Sequence, residues 1–248
     1  MKVISFKNYH ELSEFAANDI ADAIKLKPDL LLCMASGETP KLTCELLVKK
    51  LKEDEIDYSR ISLIGLDEWV NVPQHNAGSC YHFFHTKLIG PLRLKDSQYF
   101  LFNGLDPDLD NECAKMDKLI NDNGGIDLMV VGIGMNGHIG FNEPGTSFSN
   151  FCCITNLDEV TRSVGQKYFH EPTEIDKGIT IGLAHLLNAK RVFLLANGLK
   201  KAALIKNAVE GSVTENFPAS IIQKHDNGLV LIDEESGSLL NRTKTADV

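Results

Sequence analysis

No run of 18 apolar residues occurs in this chain, so no membrane-spanning helix is expected. Nor does a charged start lead into an apolar core, as a secretory leader would, and a cytoplasmic protein is expected. The six cysteines, at 33, 44, 80, 113, 152 and 153, show no C-x-x-C spacing and no regular framework. Reduced thiols are therefore expected, and the adjacent Cys152-Cys153 reads as two small apolar residues. A basic face is missing too: 25 Lys and Arg stand against 34 Asp and Glu, a formal charge of −9 that argues against nucleic acid as a partner. Of the eight histidines, only His82 and His85 share a local spacing. No acidic or thiol ligand stands at a supporting distance in the sequence, so no metal is expected, and the other histidines read as surface or core residues.

What is present suits an enzyme-sized α/β domain. With 43% hydrophobic and 24% charged residues, 248 residues are enough for one sizeable core, and no repeat or linker marks a boundary within 1–248. Short apolar runs predict strands near 30–35, 61–66, 127–133, 191–196 and 229–233. Helices are predicted near 10–25, 41–52, 78–88, 111–122 and 200–209; in the first, Leu12, Phe15, Ala16, Ile20, Ala23 and Ile24 form one stripe. This alternation predicts a single three-layer, Rossmann-like α/β domain with a mostly parallel sheet. Residues 158–177 lack a period and read as a lid, placed near 156–178.

Three predicted strand ends carry polar groups, where open α/β sheets bind ligands. After the strand at 30–35 comes Ser36-Gly37-Glu38-Thr39-Pro40, then a helical stretch. A small polar turn opening a helix suits phosphate, although Walker spacing is absent. After the strand at 61–66 comes Asp67-Glu68-Trp69, either a cap or a source of a general base. After the strand at 127–133, glycines at 132, 134, 137 and 140 surround Asn136, His138, Asn142 and Glu143. Such glycines let the backbone turn sharply and approach a ligand.

Together these segments resemble the glucosamine-6-phosphate deaminase family, whose pattern contains T-G-x-T-P, M-D-E-Y and D-G-H-I-A-F-N-E-P. Leu66-Asp67-Glu68-Trp69-Val70 and Asn136-Gly137-His138-Ile139-Gly140 look closer to the galactosamine-6-phosphate isomerase branch. The resemblance implies a cofactor-free and metal-free conversion of an amino-hexose 6-phosphate to a 2-ketose 6-phosphate with release of ammonia. On the galactosamine branch the product is tagatose 6-phosphate; the alternative is glucosamine 6-phosphate giving fructose 6-phosphate. A 6-phosphogluconolactonase or a non-catalytic sugar-phosphate sensor is a more distant alternative.

The resemblance also implies roles. Asp67 is the base that moves a proton between C2 and C1, and His138, oriented by Glu143, serves ring opening. Ser36, Gly37, Thr39, Glu68, Gly137, Lys167 and Lys201 bind the substrate, the two lysines at its phosphate. Asn136 stands where the family usually has Asp and is expected to accept a hydrogen bond from the imidazole. Lys167 replaces a phosphate-binding arginine, which exchanges a planar fork for a point charge. Glu38 should point away from the phosphate while its N–H stays available. Residues 149–155, where allosteric deaminases of the family carry cations, contain no Lys or Arg. A homo-oligomer remains compatible with all of this.

Overall fold

The computed structural model describes residues 1–241 and 245–247. Its main sheet is wholly parallel, in the order β11-β1-β10-β9-β6-β2-β3-β5. These strands are β1 (Lys2–Phe6), β2 (Leu31–Met34), β3 (Ser62–Gly65), β5 (Tyr99–Phe100), β6 (Leu128–Gly132), β9 (Val192–Ala196), β10 (Gly228–Asp233) and β11 (Thr245–Asp247). The predicted strands coincide with β2, β3, β6, β9 and β10 to within a residue or two.

Because side chains alternate across a strand, each central strand feeds two cores. Leu32, Met34, Leu63, Val130, Phe193 and Leu195 face one layer, packed on α1 (Tyr9–Leu26), α2 (Glu38–Glu53) and α3 (Cys80–Phe84). A π-helical turn (His85–Ile89) and α4 (Gly90–Leu92) continue that layer. Leu31, Cys33, Ile64, Met129, Val131 and Leu194 face the other. There they meet α5 (Leu109–Asp122), α7 (Leu183–Asn188), α8 (Ala202–Glu210) and the 3₁₀ run Pro218–Lys224. The expected three layers are observed. Asn8 caps α1 by accepting from the Glu11 N–H at 3.0 Å, and the stripe seen in the sequence is the face α1 buries.

Not foreseen is a second, antiparallel sheet of three short strands, β4 (Asp67–Trp69), β8 (Lys177–Thr180) and β7 (Cys153–Asn156). The chain leaves β3 at Leu66, whose N–H still bonds the Met34 carbonyl while its own carbonyl accepts from the Ile181 N–H. One residue later it is in the second sheet. This hand-over places Asp67 at the C-terminal edge of the parallel sheet, paired with Thr180, which pairs on its far side with Cys153.

The 156–178 segment contains α6 (Glu159–Gly165), started by Asp158 accepting from the Val160 N–H at 2.8 Å, and a 3₁₀ turn, Gln166–Tyr168. Trp69 holds this segment against β4. Its indole lies 5.9 Å from the Phe169 ring and 4.5 Å from Phe141, and a Cβ on Gly165 would come within 2.8 Å of it.

Candidate functional site

Four neighbouring strands, in the order β9-β6-β2-β3, end at the loops that hold the residues singled out from sequence. At the end of β2, Gly37 opens α2 with φ 108°, a conformation that favours glycine, and no side chain caps the helix there. Tyr168 approaches this helix end from the 156–178 segment. Its hydroxyl would lie 3.1 Å from a Cβ on Gly37. Burial, helped by Glu38, pushes the phenol up to about 12, so it stays neutral. The Glu38 side chain is exposed. Thr39 Oγ1 donates to Asn197 Oδ1 at 3.0 Å, tying the turn after β2 to the turn after β9.

Ser36, Cys80 and Asp67 form a chain. Ser36 Oγ donates to Cys80 Sγ at 3.1 Å, and that thiol lies 3.6 Å from Asp67 Oδ1. Burial and the charge of Glu68 raise the Asp67 carboxyl to about 7, against the pull of the thiol. Burial also lifts the Cys80 thiol well above its ordinary value, so it remains an S–H donor to the carboxylate. Glu68 is buried beside this chain. Its oxygens accept from the N–H groups of Trp69 (2.8 Å), Cys80 (3.0 Å) and Tyr81 (2.7 Å), an anion at the start of α3. Burial still raises Glu68 to about 7 against these three donors. The geometry therefore makes Glu68 a positioning residue for Cys80, with both oxygens already engaged.

The loop after β6 gathers the imidazole cluster. His138 Nδ1 lies 2.9 Å from Thr161 Oγ1 and 3.4 Å from Glu143 Oε2. Asn136 departs from expectation. Its Oδ1 accepts from the His138 backbone N–H at 3.2 Å, and its Nδ2 donates to Glu143 Oε2 at 2.7 Å. An amide between an N–H and a carboxylate can satisfy both in only one orientation, so Asn136 reaches the imidazole through Glu143. Burial would raise the Glu143 carboxyl, but hydrogen bonds from His138, Thr161 and Asn136 outweigh it and leave it below its ordinary value. Among the described residues nothing bonds Glu143 Oε1.

The glycines of this loop are sterically required. A Cβ on Gly134 would sit 2.0 Å from His138 Nε2, and one on Gly137 (φ 87°) would sit 2.3 Å from the Phe217 ring. The Ala219 N–H also bonds the Gly137 carbonyl at 2.8 Å, so the segment at 217–219 buttresses the turn. Phe141 N–H donates to Thr180 Oγ1 at 3.2 Å, which joins this loop to the row that carries Asp67.

A cationic corner completes the edge. Lys201 Nζ donates to the Ile133 carbonyl at 2.5 Å, and burial plus the charge of Lys167 lower its pKa to about 8. Lys167 is exposed, with Nζ 4.8 Å from the Tyr168 ring centre. Cys80, Thr161, Tyr168 and Asn197 carried no signal of their own in the sequence, since each meets its partner only through the fold.

The sequence model described as glucosamine-6-phosphate isomerases/6-phosphogluconolactonase matches residues 7–231. The chain belongs to this family. A glucosamine-6-phosphate deaminase of Halalkalibacterium halodurans is 38% identical over 237 residues, 95% of this chain and 96% of that protein. One from Bacillus pumilus is 39% identical over 240 residues, 96% and 100%. A solved structure of a monomeric glucosamine-6-phosphate deaminase superposes with a TM-score of 0.93 at 36% identity, covering 97% of this chain and 100% of that one. The 6-phosphogluconolactonase of Trypanosoma brucei has a TM-score of 0.79 at 18% identity over 97% and 98% of the chains, a likeness of fold alone. Among the described residues no helix is long and apolar enough to cross a membrane.

Proposed function

We propose that the chain is a glucosamine-6-phosphate deaminase, releasing ammonia and fructose 6-phosphate. The observation that carries this reading is the Ser36–Cys80–Asp67 chain, which sets a carboxyl of raised pKa beside an uncapped helix N-terminus on a deaminase-family fold. The galactosamine branch expected from the Leu66–Val70 wording gives way here, because the deaminases at 38% and 39% identity are named for glucosamine 6-phosphate. Asn136 in place of the usual Asp is the observation that favours galactosamine 6-phosphate, and it stays as the second reading.

In this account the phosphate binds at the start of α2, where Ser36, Gly37 and Thr39 present backbone N–H groups and Lys201 and Lys167 supply charge. The Tyr168 hydroxyl, which stands beside Gly37, moves aside for the phosphate. Anchoring C6 fixes C1 and C2 near Asp67. His138, held by Glu143 and Thr161, moves the proton between O1 and O5 as the ring opens. Asp67 then takes the C2 proton while O1 gains the proton given up by the C2 ammonium, leaving an enolamine, and Asp67 returns its proton to C1. The resulting C2 imine adds water and loses ammonia, so atoms balance with no metal or cofactor. Residues 156–178 act as a lid, with Trp69 transmitting their position to β4. Ammonia and fructose 6-phosphate formed from glucosamine 6-phosphate by the purified chain support this reading; absence of both overturns it.

A further inference from the structure

A second polar cluster lies on the opposite layer from α2, where α5, β7 and α7 meet. Asp117 on α5, Cys152 at the entry to β7 and His185 on α7 bring one carboxylate oxygen, one thiol and one imidazole nitrogen within 4.8 Å of one another. None belongs to the chemistry proposed above. Asp117 Oδ1 accepts from His185 Nε2 at 2.7 Å and from the Cys152 backbone N–H at 3.0 Å. His185 is buried and packs edge-on against Phe151, with ring centres 4.9 Å apart, so its ring is held toward the carboxylate. Asp117 and Cys152 are half-buried, which leaves the cluster open to an entering ion.

We infer that Asp117, Cys152 and His185 form a binding site for one divalent cation of zinc type. Carboxylate, thiolate and imidazole together match zinc better than calcium or magnesium, which take oxygen ligands. Tetrahedral zinc with bonds of about 2.0–2.3 Å needs ligand atoms roughly 3.3–3.8 Å apart, so the site closes when the thiol moves in by up to about 1 Å and the Asp117–His185 pair, now 2.7 Å, opens by roughly 0.6–1 Å. Without metal, burial and Asp117 hold the Cys152 thiol far above its ordinary pKa, and it stays protonated. On binding, the thiol gives up one proton to solvent and the imidazole shifts its N–H from Nε2 to Nδ1. One water takes the fourth position. Cys113, one turn before Asp117 on α5, lies in the core and remains outside the ligand set.

The ion is structural. It would fasten α5 and α7 to the start of β7, whose Cys153 lies in the same row as Thr180 and Asp67. The ligand spacings, 35 residues from Asp117 to Cys152 and 68 from Asp117 to His185, explain why no sequence motif announced the site. The inference does not depend on the proposed reaction.

Cobalt titration of the dialysed full chain, followed by absorbance, tests it. One equivalent should produce a thiolate-to-cobalt band in the near ultraviolet together with the strong visible bands of a tetrahedral site, and zinc should abolish them. Zinc at a hundredfold excess over its Kd should raise Tm by roughly 5 °C or more. Cys152→Ser should remove the ultraviolet band and the Tm shift while the metal-free circular dichroism and Tm stay near those of the parent. His185→Asn should weaken cobalt binding at least tenfold, and Cys113→Ser should leave the titration unchanged. A parent chain with no such bands, or bands that survive Cys152→Ser, would overturn the inference.

Discussion

Cys80 Sγ lies 3.6 Å from Asp67 Oδ1 and simultaneously accepts from Ser36 Oγ at 3.1 Å, so a neutral thiol joins the proposed base to the phosphate loop. An S–H donor favours the ionised carboxylate, and losing it makes Asp67 harder to ionise. Cys80→Ala should therefore shift the acidic limb of the kcat/KM profile upward by roughly half a pH unit, the scale of one weak hydrogen bond to a charge. Cys80→Ser, which keeps a donor, should restore most of the shift. An unmoved limb in Cys80→Ala would remove the thiol from this role.

The free chain should show a bell-shaped kcat/KM profile. Below about 7 Asp67 becomes protonated and cannot accept the C2 proton; above about 8 Lys201 loses the charge that holds the phosphate. Raising pH through the upper limb should increase KM more than it lowers kcat. A profile flat from pH 6 to 9 would contradict both assignments.

Asp67→Asn separates catalysis from stability. Turnover should fall by roughly 10²–10⁴, the range for a positioned acid–base group. The folded-state pKa of Asp67 is raised, so between its unfolded value and about 7 the native state binds more protons, and stability declines as pH rises through that window. The variant lacks this penalty. It should be more stable than the parent at pH 8, by roughly 1–3 kcal/mol, and no more stable at pH 4. Urea unfolding at the two pH values reads the difference.

His138→Gln should harm the closed-ring substrate far more than an open-chain analogue, because the imidazole is assigned to ring opening; equal losses would reassign it. Asn136→Asp replaces the amide that donates to Glu143 at 2.7 Å with a second carboxylate. The pair repels, one pKa rises, and stability should fall by roughly 1–3 kcal/mol at pH 8 and recover as pH drops. Unfolding curves that match the parent at both pH values would contradict the contact.

Activation by N-acetylglucosamine 6-phosphate should be absent, with hyperbolic substrate kinetics. Residues 149–155 offer no cation, and the Thr155 hydroxyl already donates to the Phe141 carbonyl at 2.7 Å. A sigmoidal curve made hyperbolic by the acetylated sugar would contradict this.

The parallel core was legible because β2, β6 and β9 are almost uninterrupted apolar runs buried on both faces, with Ser36, Asp67 and the glycine-rich turn standing at strand ends. The second sheet was not. Its strands have three or four residues, and β7 shows no alternation of burial that a period could reveal. Nor was α6 legible, since only Thr161 and Gly165 of its seven residues are buried. The contacts that shape the site are long in sequence: Ser36 to Cys80 spans 44 residues and His138 to Thr161 spans 23. Asn136 shows the limit of motif reading, since its place in the string was informative while its hydrogen-bond partner depended on where Glu143 came to rest.

The most direct test is a paired determination of kcat/KM for glucosamine 6-phosphate and galactosamine 6-phosphate, read as ammonia released. The account predicts turnover of glucosamine 6-phosphate with a preference of roughly 10- to 1000-fold, the discrimination available from one hydroxyl configuration at a polar site. A preference for galactosamine 6-phosphate, or no ammonia from either sugar, would contradict it.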